Sequence, residues 1–351
     1  MGTWLPFERV PEALRFFTGV AVSVETVRRL TEAAGQALVA VEDAEVARLE
    51  AELPPAPAGP PVQQLSVDGA MVPLVGGQWG EVKLLALGAV AADGASASAR
   101  EPRTTDLSYF ARLTDAETFG RLATGETHRR GTETAGQVAA VMDGAVWEQG
   151  FVDLHRPDAI RILDFPHAAE HLAAAVTLLW GKDTPMTRAW LAAQCHTLKH
   201  GDPADVLEAL CLLPTATAAD PTAAEAARAS AVDYLAARWE QIQYATFVAQ
   251  ALPIGSGCVE GGHKVVMQAR LKGSGMHWAP ANVNPLLALR CAACNDRWAE
   301  RWAVLTDRWR TTVSIRRLLR FAVRHAPPPP PPKQPRPKRV VNGQPTADHP
   351  W

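Results

Sequence analysis

The sequence predicts a mixed α/β fold: a mixed sheet with flanking helices, a helical insertion, a final acid-bearing helix and a small N-terminal helical segment. Three observations predict it. Apolar runs of strand length cluster between residues 62 and 163. Helical patterns stand between and after them. An alanine-rich stretch from about Asp183 to Tyr244 separates the last run from the segment PIGSGCVEGGHK. At 351 residues the chain has ample material for a core.

The elements follow in order. Residues 10–45 read as helix, turn, helix: VPEALRFFTG stops at Gly19, and Ser23 can cap VETVRRLTEAAGQAL. This pattern suits a DNA-reading helix-turn-helix or a helical hairpin packed on the body, and the residues leave both open. ELPPAPAGPP at 52–61 marks a boundary, so residues 1–51 form the N-terminal helical segment. QLSVDGAMVPL and EVKLLALGAVAA, joined through GGQWG, read as a hairpin. SYFARLTD is a third strand, DAETFGRLATGET a short helix, QVAAVMDGAVW a fourth strand and AIRILDFPH a fifth. Residues 62–182 are thus the first part of the core, and 183–252 a helical insertion broken at LLPTATAADPTAA.

Residues 253–275 return to the core. The turn Pro253 to Gly257 opens a helix on which Glu260, Lys264 and Met267 follow i, i+4, i+7 spacing, giving Glu260 a defined outlook. Taken alone, Glu260 is a first-turn acid stabilised by the helix dipole. Residues 276–325 read as basic helices, on which Trp298, Trp302, Leu305 and Trp309 form an apolar stripe expected in the core. The tail 326–351, with PPPPPPKQPRPKRVV, is stiff, basic and without a core, and is expected to be disordered.

Charge and cysteines bound the function. The formal net charge of −2 hides an asymmetry: Arg290 to His325 carries nine arginines against Asp296, Glu300 and Asp307. Such an end on an acidic body suits a polyanionic partner, nucleic acid before membrane. The five cysteines form no disulfide framework, and the single CxxC of Cys291 and Cys294 reads as core thiols on a helix. MGTWLPFERV has no apolar signal core, and LAAAVTLLW is too short to span a bilayer. The expected location is cytoplasmic, at the nucleoid when bound to DNA.

Three acids stand after apolar runs: Asp68 in LSVDGA, Asp143 in VMDGAVW and Asp164 in ILDFPH. Each has a plain reading as a turn-former. Together with Glu260, Asp68 and Asp143 instead suit hard cations on oxygen ligands. Two Mg²⁺ ions about 4 Å apart can activate a water or hydroxyl at a phosphodiester and stabilise the leaving oxygen.

LSVDGAMVPL, VMDGAVW, ILDFPHAAEHL and PIGSGCVEGGHKVVMQARLKGSGMHW, in that order, resemble the ISKra-type insertion-sequence transposases, of the Mutator-like group of DDE transposases. The resemblance runs from about Leu5 to Arg290 and is strongest over GSGCVEGGHKVVMQARLKGSGMHW. It implies a ribonuclease H-like core whose catalytic Glu follows a helical insertion. Residue by residue, it implies Asp68, Asp143 and Glu260 as catalytic and metal-binding acids, with Mg²⁺, replaceable by Mn²⁺, as a pair of ions. Asp164 and His167 match the group's Asp-x-x-His pair and take a supporting role, although ILDFPHAAEH also has the look of a second catalytic Asp. His167 and His171 orient the site or meet substrate, or are simply buried and hydrogen-bonded. The glycines around Glu260 are expected to let DNA approach, and Lys264, Arg270 and Lys272 to meet phosphates. The implied partners are DNA, as element ends and target, and further copies of the chain.

The implied activity is DNA transposition: metal-dependent hydrolysis at element ends, then strand transfer by transesterification. Proteins of this type usually carry a further N-terminal region, often cysteine-containing, before the part matching Leu5. The alternative is therefore a truncated, non-catalytic DNA-binding or regulatory remnant. A glycosidase using paired carboxylates fits less well with only three tyrosines, and Ser256 in GSG matches no nucleophile elbow.

Overall fold

In the computed structural model, residues 1–91 and 102–310 are described. Five strands form one mixed sheet in the order β3-β2-β1-β4-β5. β1 (Val62–Pro73) and β2 (Trp79–Val90) are the predicted hairpin, and β3 (Thr104–Leu113) extends it antiparallel. β4 (Gln137–Met142) pairs parallel to β1, and β5 (Ile160–Leu163) parallel to β4. This is the predicted ribonuclease H-like mixed sheet.

Helices enter where the sequence changes period. α1 (Val10–Thr18) ends at Gly19, and α2 (Val24–Glu52) starts at Ser23, whose hydroxyl accepts the Thr26 N–H at 3.1 Å. α2 is 29 residues long and runs past the expected end, because no breaker interrupts VAVEDAEVARLEAE before Leu53 turns left-handed. α2 buries Val27, Ala34, Leu38, Val46 and Leu49, and its Glu42 pairs with the buried Arg112 of β3. Within the N-terminal segment α2 is thus laid along the body, while Phe16 and Phe17 of α1 are exposed. The proline-rich 52–61 segment is laid down too: Thr134 Oγ1 accepts the Gly59 N–H at 2.8 Å and donates to the Pro57 carbonyl.

α3 (Ala116–Arg129) and α4 (Val146–His155) cover one sheet face, where Phe119, Ala123, Phe151 and Val152 meet Leu65, Val67, Leu85, Val138, Ala140 and Met142. α5 (Phe165–Trp180) covers β4 and β5 on the other face. The insertion follows as α6 (Pro185–His200), α7 (Pro203–Cys211), α8 (Pro221–Ala236) and α9 (Tyr244–Ala249), with the expected break between α7 and α8. It belongs to the same compact unit as the sheet, Met1–Leu305, because Leu198, Val206, Leu210, Leu235 and Tyr244 share one core with α5 and β5.

The Glu260 segment is α10 (Gly257–Gly262), a π-helical stretch His263–Gln268, and α11 (Ala269–Leu271). It packs Val259, Val266, Met267 and Leu271 against Val72, Val82, Leu84 and Ala86. A side chain at Gly262 would meet Tyr109 at 2.8 Å and Leu84 at 2.9 Å, so this glycine serves close helix–sheet packing. α12 (Pro280–Cys294) completes that face and packs on α2.

The C-terminal expectations need correction. Arg290 is buried and donates to the Val265, Val266 and Thr3 carbonyls, satisfying groups of the π-helical stretch. Arg297 pairs with Glu126 at 2.7 Å and Arg301 with Glu45 at 3.1 Å. These three arginines bind the fold together instead of facing a polyanion. In the tryptophan stripe Leu305 is buried, but Trp298 and Trp302 stack on each other at 5.8 Å with about two-fifths of each exposed. Thr306–Trp351 form a second unit, of which residues 306–310 are described and helical; the remaining basic stretch and the proline-rich tail lie outside the described residues.

Candidate metal centre

Asp68 stands within β1, not at its end, opposite Leu84 of β2. The β1–β4 pairing stops at Leu65 and Ala140, so beyond it the edge of β1 is free of a parallel neighbour and Asp68 faces a cavity. Strand alternation turns Asp68 to the same side as Ala70 and Val72, toward α10. Asp143 follows β4 directly. Its Oδ1 accepts the Ala145 N–H at 2.9 Å, which holds the carboxylate at the mouth of the turn. The two aspartates line one cavity of about 160 Å³ with Asp164, His167, Glu170, Ser256 and Glu260.

The third acid closest to them is Glu148, which the sequence reading did not select. Asp68, Asp143 and Glu148 offer oxygens that all lie within 4.8 Å of one another. Glu148 is the N3 residue of α4; its Oε2 accepts the N–H groups of Gly144 at 3.0 Å and Ala145 at 3.1 Å. A glutamate at N3 reaching back to the helix entrance is the glutamate half of a capping box, and DGAVWE carries that signal. Burial, then a hydrogen bond and repulsion from Asp143, push the Glu148 carboxyl up to about 10. Three crowded carboxylates with oxygen donors only suit a hard divalent cation, whose charge would relieve this repulsion. Asp68, Asp143 and Glu148 are the residues that would hold it.

Glu260 lines the cavity and is exposed, yet it is not in that group of oxygens. His263, one turn on, is 4% exposed and has no hydrogen-bond partner at either ring nitrogen. Its Nε2 stands 3.2 Å from Asp68 Oδ2, within ion-pair reach but off the line a hydrogen bond needs. Asp68 Oδ1 accepts its neighbour Gly69's N–H at 2.6 Å.

Asp164 is used structurally. It caps α5 through the His167 N–H at 3.1 Å, and its other oxygen accepts the Ser256 N–H at 2.6 Å. It thereby ties the entrance of α5 to that of α10, and its carboxylate lies outside the acidic group. His167 lines the cavity and sits 3.4 Å from Glu170. His171 does not; it stacks on Tyr234 of α8 at 3.6 Å, and burial lowers its basicity.

The insertion braces this site. The Tyr234 hydroxyl donates to the Asp143 carbonyl, and Arg238 donates to the Gly144 carbonyl at 2.8 Å while stacked 3.7 Å over the Tyr234 ring. Gly144 has φ +86, and a side chain there would strike the Arg238 guanidinium. Tyr234 and Arg238 lie about 90 residues after Asp143, and no local pattern in the sequence links them to it.

Of the residues expected on DNA, Lys264 and Lys272 are exposed. Arg270 is not: it is 2% exposed, donates to the Gly2 carbonyl at 3.0 Å and lies over the rings of Phe7 and Trp278. Burial lowers it to about 10. It lies four residues after Val266 and three after Met267, on the same buried face of the segment. Among the described residues, no helix is long and apolar enough to cross a membrane. No protein-family model matches the chain, and no curated protein matches it.

Proposed function

We propose that the chain is a DDE-type DNA transposase that hydrolyses a phosphodiester at element ends and joins the freed 3′-hydroxyl to target DNA by transesterification. One observation carries the reading: Asp68 of the central strand and Asp143 at the end of the adjacent parallel strand line one cavity with Glu260, and Glu148 offers a third carboxylate oxygen close to the two aspartates. A bound divalent cation supplies Lewis acidity at the phosphate and a nucleophile competent at neutral pH. Asp68 and Asp143 hold their carboxylates on rigid backbone, so little reorganisation is needed on loading. His263 closes the inner side of Asp68 and keeps water from that flank. Lys264 and Lys272 neutralise phosphates and position the strand without reading sequence.

The test is to sequence the DNA flanking the gene for inverted repeats and to incubate purified protein with plasmid DNA carrying them, with Mg²⁺ or Mn²⁺; flanks without repeats would count against the reading. The expected result is nicking at the repeats and strand-transfer product, both lost in Asp143→Ala. Metal-independent binding to the repeats with no cleavage would support the non-catalytic regulatory protein instead. Neither binding nor cleavage would end both readings.

A further inference from the structure

Beyond the acidic cavity, β1 and the Glu260 helix run side by side to a second hollow. It measures about 320 Å³ and is lined by Pro73, Trp79, Lys272, Gly273, Gly275, Met276 and His277. Trp79 opens β2 opposite Pro73, and 60% of its surface is exposed. Its ring forms part of the wall of the hollow and stays accessible there. The walls are preformed. Trp278 N–H donates to the Pro73 carbonyl at 3.1 Å, Val75 N–H to the Trp278 carbonyl at 3.0 Å, and Trp278 Nε1 to the Leu271 carbonyl at 3.0 Å. The hairpin and the 272–278 loop are therefore clipped together, leaving Trp79, Lys272 and His277 open to solvent.

The approach to the hollow is also defined. Glu260, Lys264, Gln268 and Lys272 are all exposed on one segment, so an open row leads from the acidic cavity to the hollow and carries two cations. Along β1, Asp68 and Pro73 are five residues apart, about 17 Å at strand rise. An exposed indole supplies a stacking face for a base, and adjacent cations supply contacts for its phosphate.

We infer that this hollow takes one unpaired nucleotide of the DNA strand whose phosphodiester lies at the acidic cavity, with the base on Trp79 and its phosphate at Lys272 and His277. The inference rests on the DNA reading above and adds a subsite to it. The geometry favours a single-stranded end or a nucleotide lifted from the duplex over an intact base pair, because Trp79 offers one aromatic face, which stacks one base.

The test uses the full chain in EDTA, so that no cleavage intervenes. Binding is measured by fluorescence anisotropy for a labelled twelve-thymidine strand and for a duplex of the same length. The variants are Trp79→Ala, Trp79→Phe and Lys272→Ala, with Phe16→Ala as an exposed aromatic control away from the hollow. Trp79→Ala is expected to weaken single-strand binding about five- to hundred-fold. Trp79→Phe should recover much of that loss, Lys272→Ala should weaken both probes, and Phe16→Ala neither. Melting temperatures of Trp79→Ala and wild type should agree, since the ring is exposed. If wild type binds the strand and Trp79→Ala binds it equally well, the subsite is wrong while the DNA reading stands. If wild type binds neither probe but still binds Mn²⁺, the DNA reading and the subsite fall together.

Discussion

Tyr234 of the helical insertion donates its hydroxyl to the backbone carbonyl of Asp143, fixing the turn that presents a candidate metal ligand. Burial raises the Tyr234 hydroxyl to about 12, so it remains a donor throughout the physiological range. Tyr234→Phe keeps the ring's stack on His171 and removes only the bond. The expected result is Mn²⁺ affinity lower by about ten-fold or more with a small change in melting temperature. Calorimetric titration decides it, and unchanged affinity would show that the turn needs no brace.

Asp68, Asp143 and Glu148 are expected to act as one ligand set. Asp68→Asn or Asp143→Asn should abolish Mn²⁺ binding at micromolar metal. Glu148→Gln keeps the shape and the acceptor for Gly144 and Ala145, and should weaken metal binding while stabilising the metal-free protein. At pH 7.5 folded Glu148 holds a proton that the unfolded chain has released, a cost to folding of up to about 4 kcal/mol that glutamine does not carry. Equal metal affinity in Glu148→Gln and wild type would return the third position to Glu260.

Asp164→Ala should behave as a structural variant. It removes the α5 cap and the tie to Ser256 together, with an expected cost of about 2–4 kcal/mol. Metal affinity, measured well below the lowered melting temperature, should fall far less than in Asp143→Asn. Complete loss of Mn²⁺ binding in a folded Asp164→Ala protein would make Asp164 the second ligand.

His155 provides a pH signature away from the site. Burial lowers it to about 4 from an ordinary 6.5, while its ring bonds the Gly120 carbonyl at 2.9 Å. Above pH 6.5 it is neutral folded and unfolded, and its contribution is fully present. As pH falls from 6.5 toward 4 the unfolded chain takes up a proton that the fold refuses, and stability drops by up to about 1.4 kcal/mol per unit. Urea titrations should show a shallower acid slope for His155→Gln over that window.

Buried and exposed cations should separate in DNA binding. Lys264→Ala and Lys272→Ala should each reduce the slope of log affinity against log salt by about 1. Arg270→Met should leave that slope alone and lower stability, because the guanidinium it removes is packed between Phe7 and Trp278. A salt slope that falls with Arg270→Met would mean the side chain leaves its core position on DNA.

The sequence by itself determined the sheet, the insertion and two of the acids at the centre. Strand signals are local: alternation around Asp68 and the apolar run before Asp143 are readable in a dozen residues each, and so is the glycine-framed start of the Glu260 helix. Only the tertiary structure decided which groups converge. Glu148 reaches Asp143 through a helix entrance, Asp164 is occupied by His167 and Ser256, and Tyr234 and Arg238 arrive from the insertion. Arg270 shares the apolar face of Val266 and Met267 by its i+4 and i+3 spacing, but the Gly2 carbonyl and the rings of Phe7 and Trp278 that hold its guanidinium there come from distant parts of the chain. Periodicity reports which face of an element is apolar. Which side chains meet across faces depends on packing between elements far apart in the chain.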